Sequence, residues 1–356
     1  MSVSPRPESI LIVRLGAMGD VIHTLTAATA LRTSLPDLRI GWVVEDRWSE
    51  LLCARNSPHS GPRNAERPVA DIVHIAHTKR WRKSPLSRET CRDIQAVRRE
   101  IREQQYEVAI DFQGALKSGA IARLSGAKSI CGFARPRETP ARLLYNQTVS
   151  AAAAHIIDQN YSLAEAVVGS PVLRCPALLP RDEHAENVVG QKLASIGENF
   201  ALINPGAGWG AKQWPAGRYG AVASALSKRG LTPLINFGPG EQSLALQVQE
   251  ASAGTAQPIS CPISELIALT RLARLFIGGD TGPLHLAAAL QVPVVAIFGP
   301  TDPARNGPYG TRSIVLRSPE SKTSLSHTNV PDPGLLSIPT DQVISAAHQL
   351  LESSGA

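Results

Sequence analysis

Short apolar runs alternate with amphipathic stretches along most of this chain. Residues 9–14, Ser-Ile-Leu-Ile-Val-Arg, have the β-branched, apolar character of a buried strand. The run breaks at Leu15-Gly16-Ala17-Met18-Gly19-Asp20 and resumes with helical spacing over residues 21–35. Residues 39–44 and 72–75 predict two further strands, with a polar, proline-containing region at 56–68 between them. Helical spacing over 87–104 then leads into a strand at 108–112 and the turn Gln113-Gly114.

The same grammar restarts in the second half. Residues 200–204 predict a strand, 205–210 a glycine-rich loop, 218–229 a helix and 232–237 another strand. Leu275-Phe276-Ile277 ends a further buried strand, and Val294-Val295-Ala296-Ile297-Phe298 forms the next, followed by the polar turn Gly299-Pro300-Thr301-Asp302-Pro303. Strands alternating with helices imply an α/β fold with a mostly parallel sheet in each half. Gly169, Pro171, Pro176 and Pro180 punctuate the chain between 169 and 184, where the halves divide. The division predicts domains at 1–175 and 176–338, with a last helical pattern at 340–351, within 339–356, folding back onto the first domain.

One turn stands out chemically. At Gly278-Gly279-Asp280-Thr281-Gly282-Pro283-Leu284-His285 an apolar strand gives way to a polar turn and restarts at once as a helix. The first backbone N–H groups of a helix lack intrahelical partners and carry the positive end of its dipole, so such a turn suits a phosphate. Gly282 allows close backbone approach, Pro283 suits a first helical turn, and the Thr281 hydroxyl can donate to a phosphate oxygen. The alternative is that Asp280 or Thr281 caps the helix and nothing more.

Composition narrows the class. With 356 residues, 43% hydrophobic and 19% charged, each half can bury its own core. The formal charge of +6 favours an acidic partner, whether nucleic acid, an anionic membrane face or a phosphorylated substrate. No apolar segment is long enough to span a bilayer and the N-terminus lacks the pattern of a secretory signal, which predicts a cytoplasmic chain. Cys53, Cys91, Cys131, Cys175 and Cys261 are scattered, without a CxxC pair, and are read as reduced thiols rather than a disulfide frame or zinc site.

The first turn has the Gly16 and Gly19 pair but not the GxGxxG fingerprint of a dinucleotide enzyme. A pyrophosphate on that helix would meet the Asp20 carboxylate, which would repel it. A hydroxyl that must lose a proton suits the turn better, although Asp in a first helical turn is also a routine stabilising choice.

Gly16-Ala17-Met18-Gly19-Asp20-Val21-Ile22-His23-Thr24-Leu25, Trp42-Val43-Val44-Glu45, Lys79-Arg80-Trp81-Arg82-Lys83, Asp111-Phe112-Gln113-Gly114, Lys212-Gln213-Trp214-Pro215 and the two polar turns of the second half, in this order, resemble the lipopolysaccharide heptosyltransferases, nearest the type I enzymes. The resemblance covers nearly the whole chain. It implies a GT-B fold, two facing Rossmann-like domains with the active site in the cleft, and an inverting transfer from ADP-L-glycero-β-D-manno-heptose to a Kdo residue of the lipopolysaccharide inner core, without a metal or other cofactor. The alternatives are a type II or related transferase using another nucleotide sugar, and a non-catalytic protein that binds nucleotide sugars or anionic lipids.

The resemblance makes Asp20 the general base and Lys212 a diphosphate ligand, and sets Asp280, Thr281, Gly282 and His285 on the donor side. His285 could equally be a core histidine of its apolar helix. Glu241 falls where a carboxylate would bind ribose hydroxyls, with Gln242 as its rival. For the acceptor, the resemblance favours Arg80, Lys83 and Arg137. Lys79 and Arg82 complete the cation cluster around Trp81, with Arg135 and Lys117 as further additions, and guanidinium groups suit the carboxylates and phosphates of a Kdo-bearing lipid A precursor. One aromatic in that cluster offers no stacking platform for nucleic acid. The expected partners are therefore an ADP-sugar and an anionic, lipid-linked acceptor, met by a monomer at the cytoplasmic face of the inner membrane. One departure is the loop Pro205-Gly206-Ala207-Gly208-Trp209-Gly210-Ala211, which lacks hydroxyl side chains before Lys212 and is closer to the type II pattern.

Overall fold

In the computed structural model, which describes residues 6–324 and 328–352, the chain divides between Arg181 and Asp182 into two units. In the first unit the strands are β1 (Ser9–Val13), β2 (Arg39–Glu45), β3 (Ile72–Ala76), β4 (Val108–Asp111), β5 (Ser129–Phe133) and β6 (Gln147–Val149). They pair in the order β3-β2-β1-β4-β5-β6, all parallel. This is the doubly wound order, in which the direction of winding reverses beside β1 and leaves a crevice at the strands' carboxyl ends. The predicted strands all form. Their near-continuous burial explains why they read as apolar runs rather than as alternating ones.

The connections are helices α1 (Met18–Ser34), α2 (Thr78–Lys83), α3 (Arg88–Glu103), α4 (Leu116–Leu124) and α5 (Ile156–Val168). Helix α1 is buried around most of its circumference, and its small residues Ala27, Ala28 and Ala30 let it lie close to its neighbours. Helix α3 is the opposite case: it buries a narrow stripe ending at Ile101 and presents charge elsewhere. In the polar 56–68 region Arg67 is buried, and its guanidinium donates to the carbonyl oxygens of Pro58, Gly61 and Pro62. These bonds give the loop a definite shape without regular structure.

The second unit repeats the plan with β7 (Phe200–Asn204), β8 (Thr232–Asn236), β9 (Gln257–Ile259), β10 (Leu275–Gly279), β11 (Val294–Phe298) and β12 (Ser313–Arg317), ordered β12-β11-β10-β7-β8-β9. Its helices are α6 (Glu183–Ile196), α7 (Ala216–Ser227), α8 (Gln242–Ala251), α9 (Ile263–Leu272), α10 (Gly282–Ala289), α11 (Pro303–Asn306), α12 (Pro333–Ser337) and α13 (Thr340–Glu352). The sequence reading overlooked several edge and crossover elements, among them β5, β6, β9, β12 and α9.

Helix α13 corrects an expectation. Instead of folding back onto the first domain, it buries Val343, Ala346, Ala347 and Leu350 in the second unit's core, with Ile277, Val295 and Leu316 from the sheet and Trp214 and Val222 from the region of α7. The expected domain edge at 175 also shifts to 181, because residues up to Arg181 remain tied to the first unit: the Arg181 N–H donates to the Ala65 carbonyl.

Candidate active site

In the first unit the polar cluster forms where β1 and β4 end. Asp20 is the third residue of α1, and its Oδ2 accepts the Ala17 N–H at 3.1 Å, closing the helix back on its own N-cap. The same Oδ2 takes a 2.7 Å ion pair from Arg14 Nη2. Both contacts fall on one oxygen, while the side chain as a whole remains 37% exposed. Arg14 directly follows β1 and is itself buried; its Nη1 donates to the Phe112 carbonyl at 2.6 Å and its own carbonyl accepts the Trp42 indole N–H. The carboxylate is thus held by a guanidinium fixed in the framework of two strand ends.

The turn after β4 completes this frame. Gln113 Oε1 accepts the Leu15 N–H, while Asp111 accepts from the backbone N–H groups of Gln113 and Gly114, the Ser118 hydroxyl and the Tyr145 phenol. Burial pushes the Asp111 carboxyl above the ordinary carboxylate range, against the pull of these four donors. Gly114 has a φ of +67°, and a Cβ there would lie 2.9 Å from the Arg137 nitrogen. Glycine is therefore required twice over, and its close approach brings the loop of Arg135 and Arg137 against this turn.

The predicted cation cluster is helix α2. Buried Glu45, at the end of β2, accepts the Thr78 hydroxyl and the Lys79 N–H, pinning the start of α2 to the sheet. Lys79, Arg82 and Lys83 are exposed, as is Arg137. Arg80 is also exposed but paired: its Nη2 lies 2.6 Å from Asp93 Oδ2, which also accepts the Trp81 indole N–H. Burial alone would raise the Asp93 carboxyl, but the hydrogen bonds from Trp81 and Arg80 outweigh it and hold the group below its ordinary value. Arg80 therefore braces α2 against α3 as well as presenting charge.

The second unit builds a separate cluster at the ends of β7 and β10. Lys212 Nζ lies 2.5 Å from Asp280 Oδ2, and His285 Nε2 lies 3.0 Å from Asp280 Oδ1. The Lys212 and Asp280 side chains are only 9% and 8% exposed. Burial would raise the Asp280 carboxyl, but the hydrogen bond and charge of His285, together with Lys212, hold it far below the carboxylate range. His285 is thus buried on an apolar helix, as a core histidine would be, and also engaged with a polar site residue. Lys212 further lies 4.2 Å from the centre of the Trp209 ring.

Neither expected cap is made. Thr281 is the N-cap residue of α10, yet no side chain caps the helix: the Thr281 hydroxyl donates to the Gly279 carbonyl and Asp280 is committed to Lys212 and His285. The first turn of α10, which begins at Gly282, is left suited to an anion. Glu241 rather than Gln242 faces the glycine-rich loop. Its Oε2 accepts the Gly238 N–H at 2.8 Å, and a Cβ on Gly206 would collide with its carboxylate, whereas Gln242 is exposed. Asn204 and Asn236, both buried, hold that loop from beneath: Asn236 donates to Asn204 Oδ1, and Asn204 donates to the Gly206 carbonyl.

Sequence reasoning missed Arg14, Asn204 and Asn236. Each sits at or just beyond a strand's carboxyl end, and that position was the available signal. Among the described residues no three His, Cys, Asp or Glu side chains gather in a way that could hold a metal ion, and no helix is long and apolar enough to cross a membrane.

The family model for glycosyltransferase family 9 (heptosyltransferase) matches residues 94–332. Lipopolysaccharide heptosyltransferase 1 of Pseudomonas aeruginosa is 28% identical over 317 residues, covering 87% of this chain and 83% of that protein. The structure of Escherichia coli heptosyltransferase WaaC with ADP superposes with a TM-score of 0.77 at 24% identity, covering 96% of this chain and 99% of that one. The same protein with ADP-2-deoxy-2-fluoro heptose gives 0.74 at 24% identity, covering 97% and 99%.

Proposed function

The chain belongs to glycosyltransferase family 9, the heptosyltransferases, and from that premise we propose that it transfers heptose from ADP-L-glycero-β-D-manno-heptose to a Kdo hydroxyl of the lipopolysaccharide inner core. The observation that carries the assignment of the base is the state of Asp20. One carboxylate oxygen is fixed by Arg14 and the Ala17 N–H, and the side chain is still exposed enough to meet a substrate. In this reading the acceptor O–H gives its proton to Asp20 as its oxygen bonds to the anomeric carbon. The bond from that carbon to the β-phosphate oxygen breaks on the opposite face, and its electron pair leaves with ADP. One displacement inverts the anomeric centre.

Charge accumulates on the departing diphosphate, where fixed positive groups are most useful. The second unit offers the start of α10, the Thr281 hydroxyl and Lys212. Lys212 is paired with Asp280 and the Thr281 hydroxyl donates to the Gly279 carbonyl, so diphosphate binding would share or exchange those partners. Glu241 is the residue proposed for the ribose hydroxyls. On the acceptor side Lys79, Arg82, Lys83 and Arg137 present exposed charge, with Arg80 contributing beside its bond to Asp93. A lipid-linked anionic acceptor would bring the enzyme to the cytoplasmic face of the inner membrane. No step of this displacement calls on a metal.

The hydroxyl-free loop at 205–211 favours one second reading, in which the acceptor is a heptose already on the core. Purified protein given ADP-heptose and a panel of defined core acceptors distinguishes the two by which acceptor gains mass. Asp20→Asn should lower kcat on the order of 10² to 10⁴-fold while ADP affinity stays within about twofold, since this assignment gives Asp20 no donor contact. Undiminished turnover in that variant removes Asp20 as the base.

A further inference from the structure

The charge of this chain is concentrated to an unusual degree. Residues 79–103 hold nine Lys and Arg against four Asp and Glu, five of the six excess positive charges of the molecule. Only part of that belongs to α2 and the acceptor cluster. At 3.6 residues per turn, positions 88, 92, 95, 99 and 102 of α3 share one face, occupied by Arg88, Arg92, Gln95, Arg99 and Arg102. The opposite face carries Thr90, Ile94, Val97 and Ile101, with Thr90 and Ile101 buried and Val97 packed on the core. Asp93 and Glu100 fall on a flank, where they engage Arg80 and His74.

The arginine face is exposed, and among the described residues none of its four guanidinium groups enters an ion pair. Asp93 and Glu100 are taken by Arg80 and His74, and Glu89 lies 3.8 Å from Arg80, so of the helix's carboxylates only Glu103 stands near the arginine face outside these pairs. At the start of the helix, in the turn from α2, Leu86 is 93% exposed. Helix α3 runs from the carboxyl end of β3 back toward the start of β4, so Leu86 and Arg88 lie at the same end of the sheet as the Asp20 turn.

We propose that the Arg88, Arg92, Arg99 and Arg102 face of α3, with Leu86 at its tip, is a docking surface for an anionic lipid bilayer. Headgroup phosphates take the arginines, and Leu86 enters the interface as an apolar foot. A nucleic acid would match the charge but not the exposed leucine, and the face carries no aromatic side chain for base stacking. The proposal rests on the functional reading only in the use made of the membrane. Its test needs neither donor nor acceptor sugar, so it succeeds or fails separately from heptose transfer.

The full chain is sedimented with vesicles of pure phosphatidylcholine and with vesicles containing 30% phosphatidylglycerol, at two salt concentrations. Binding is expected only to the anionic vesicles and should weaken as salt rises. Each basic residue near such a surface is worth about fivefold in partitioning, so replacing all four arginines by Gln should weaken binding on the order of a hundredfold or more. Leu86→Glu, with all four arginines present, should weaken binding on its own. Circular dichroism and thermal melting should stay at the wild-type level in both variants. Equal binding to neutral vesicles, undiminished binding by the four-arginine variant, or tighter binding to single-stranded RNA than to anionic vesicles would each overturn the proposal.

Discussion

Replacing Asp280 by Asn removes the carboxylate that Lys212 and His285 share while keeping the side chain's size. The ion pair is almost wholly buried, with 9% and 8% of its two side chains exposed, so the ammonium of Lys212 would be left without its counter-charge in a poorly solvated site. Removing one member of a buried pair typically costs about 3–5 kcal/mol. At about 2–4 °C per kcal/mol for a unit of this size, the second unit should melt roughly 6–20 °C lower. The pH dependence carries a definite sign. Burial alone would raise the Asp280 carboxyl, but His285 and Lys212 hold it far below its unfolded value. Its contribution is therefore complete above an unfolded pKa near about 3.9 and drains away as the pH falls from there toward the depressed native value. The wild-type protein should lose second-unit stability steeply on acidification, whereas Asp280→Asn should begin weaker at neutral pH and show a shallower acid limb. Calorimetry from pH 7 down to pH 2.5 reads both quantities and separates the transitions of the two units. Adding Lys212→Met to Asp280→Asn should recover about half or more of the loss, because the stranded charge goes with it. An Asp280→Asn protein within about 1 kcal/mol of wild type, with an unchanged acid limb, would refute the assignment of this pair as a stabilising, ionised contact.

Two further outcomes follow from the same kind of accounting. Arg14→Met strands the Phe112 carbonyl and leaves Asp20 Oδ2 held only by the Ala17 N–H, so it should cost about 2–4 kcal/mol and reduce kcat on the order of 10²-fold with ADP affinity unchanged; Arg14→Lys, which can keep the ion pair but not the fork, should fall between. Wild-type kcat in Arg14→Met would show that Asp20 needs no such anchor. Val343→Asp places a charge at a fully buried position of α13 and should cost more than about 4 kcal/mol, with the new hydrogen exchange confined to residues 182–352; exchange spreading first through the first unit would contradict the packing of α13 described above.

Much of the fold was legible because parallel strands buried on both faces announce themselves as uninterrupted apolar runs. β1, β7 and β11 are of this kind, and each was readable to within a residue or two. β6 and β9, with three residues each and exposed first positions, have no such signature and form only because the neighbouring strand offers its edge. Helix α13 was readable as a helix but not as to what it covers. An amphipathic face specifies that something apolar lies opposite, and the sheet of either unit would satisfy it equally. The candidate site divides in the same way. Glycine turns and an acid beside a helix start reveal Asp20 and Asp280, since those residue types are selected by local backbone geometry. Arg14 and Asn236 act by reaching across to a neighbouring strand end distant in sequence, Arg14 to the Phe112 carbonyl and Asn236 to Asn204, and no local pattern encodes that reach.

The ion pair at Lys212 changes what the turn at 278–285 means. A helix start with no side-chain cap attracts an anion, but Asp280 stands directly before it and, as a bare carboxylate, would repel one. Lys212 and His285 cover both of its oxygens. Under the proposed function, Lys212 would therefore have two consequences for a diphosphate: it would supply a positive charge, and it would mask a negative one that the fold has fixed in place. His285 lies in α10 itself and holds Asp280 Oδ1, leaving Oδ2 to the lysine. Removing Lys212 would thus subtract one attraction and expose one repulsion. Its loss should weaken anion binding by more than a single ammonium contact could account for, and Asp280→Asn in the same background should recover part of the deficit.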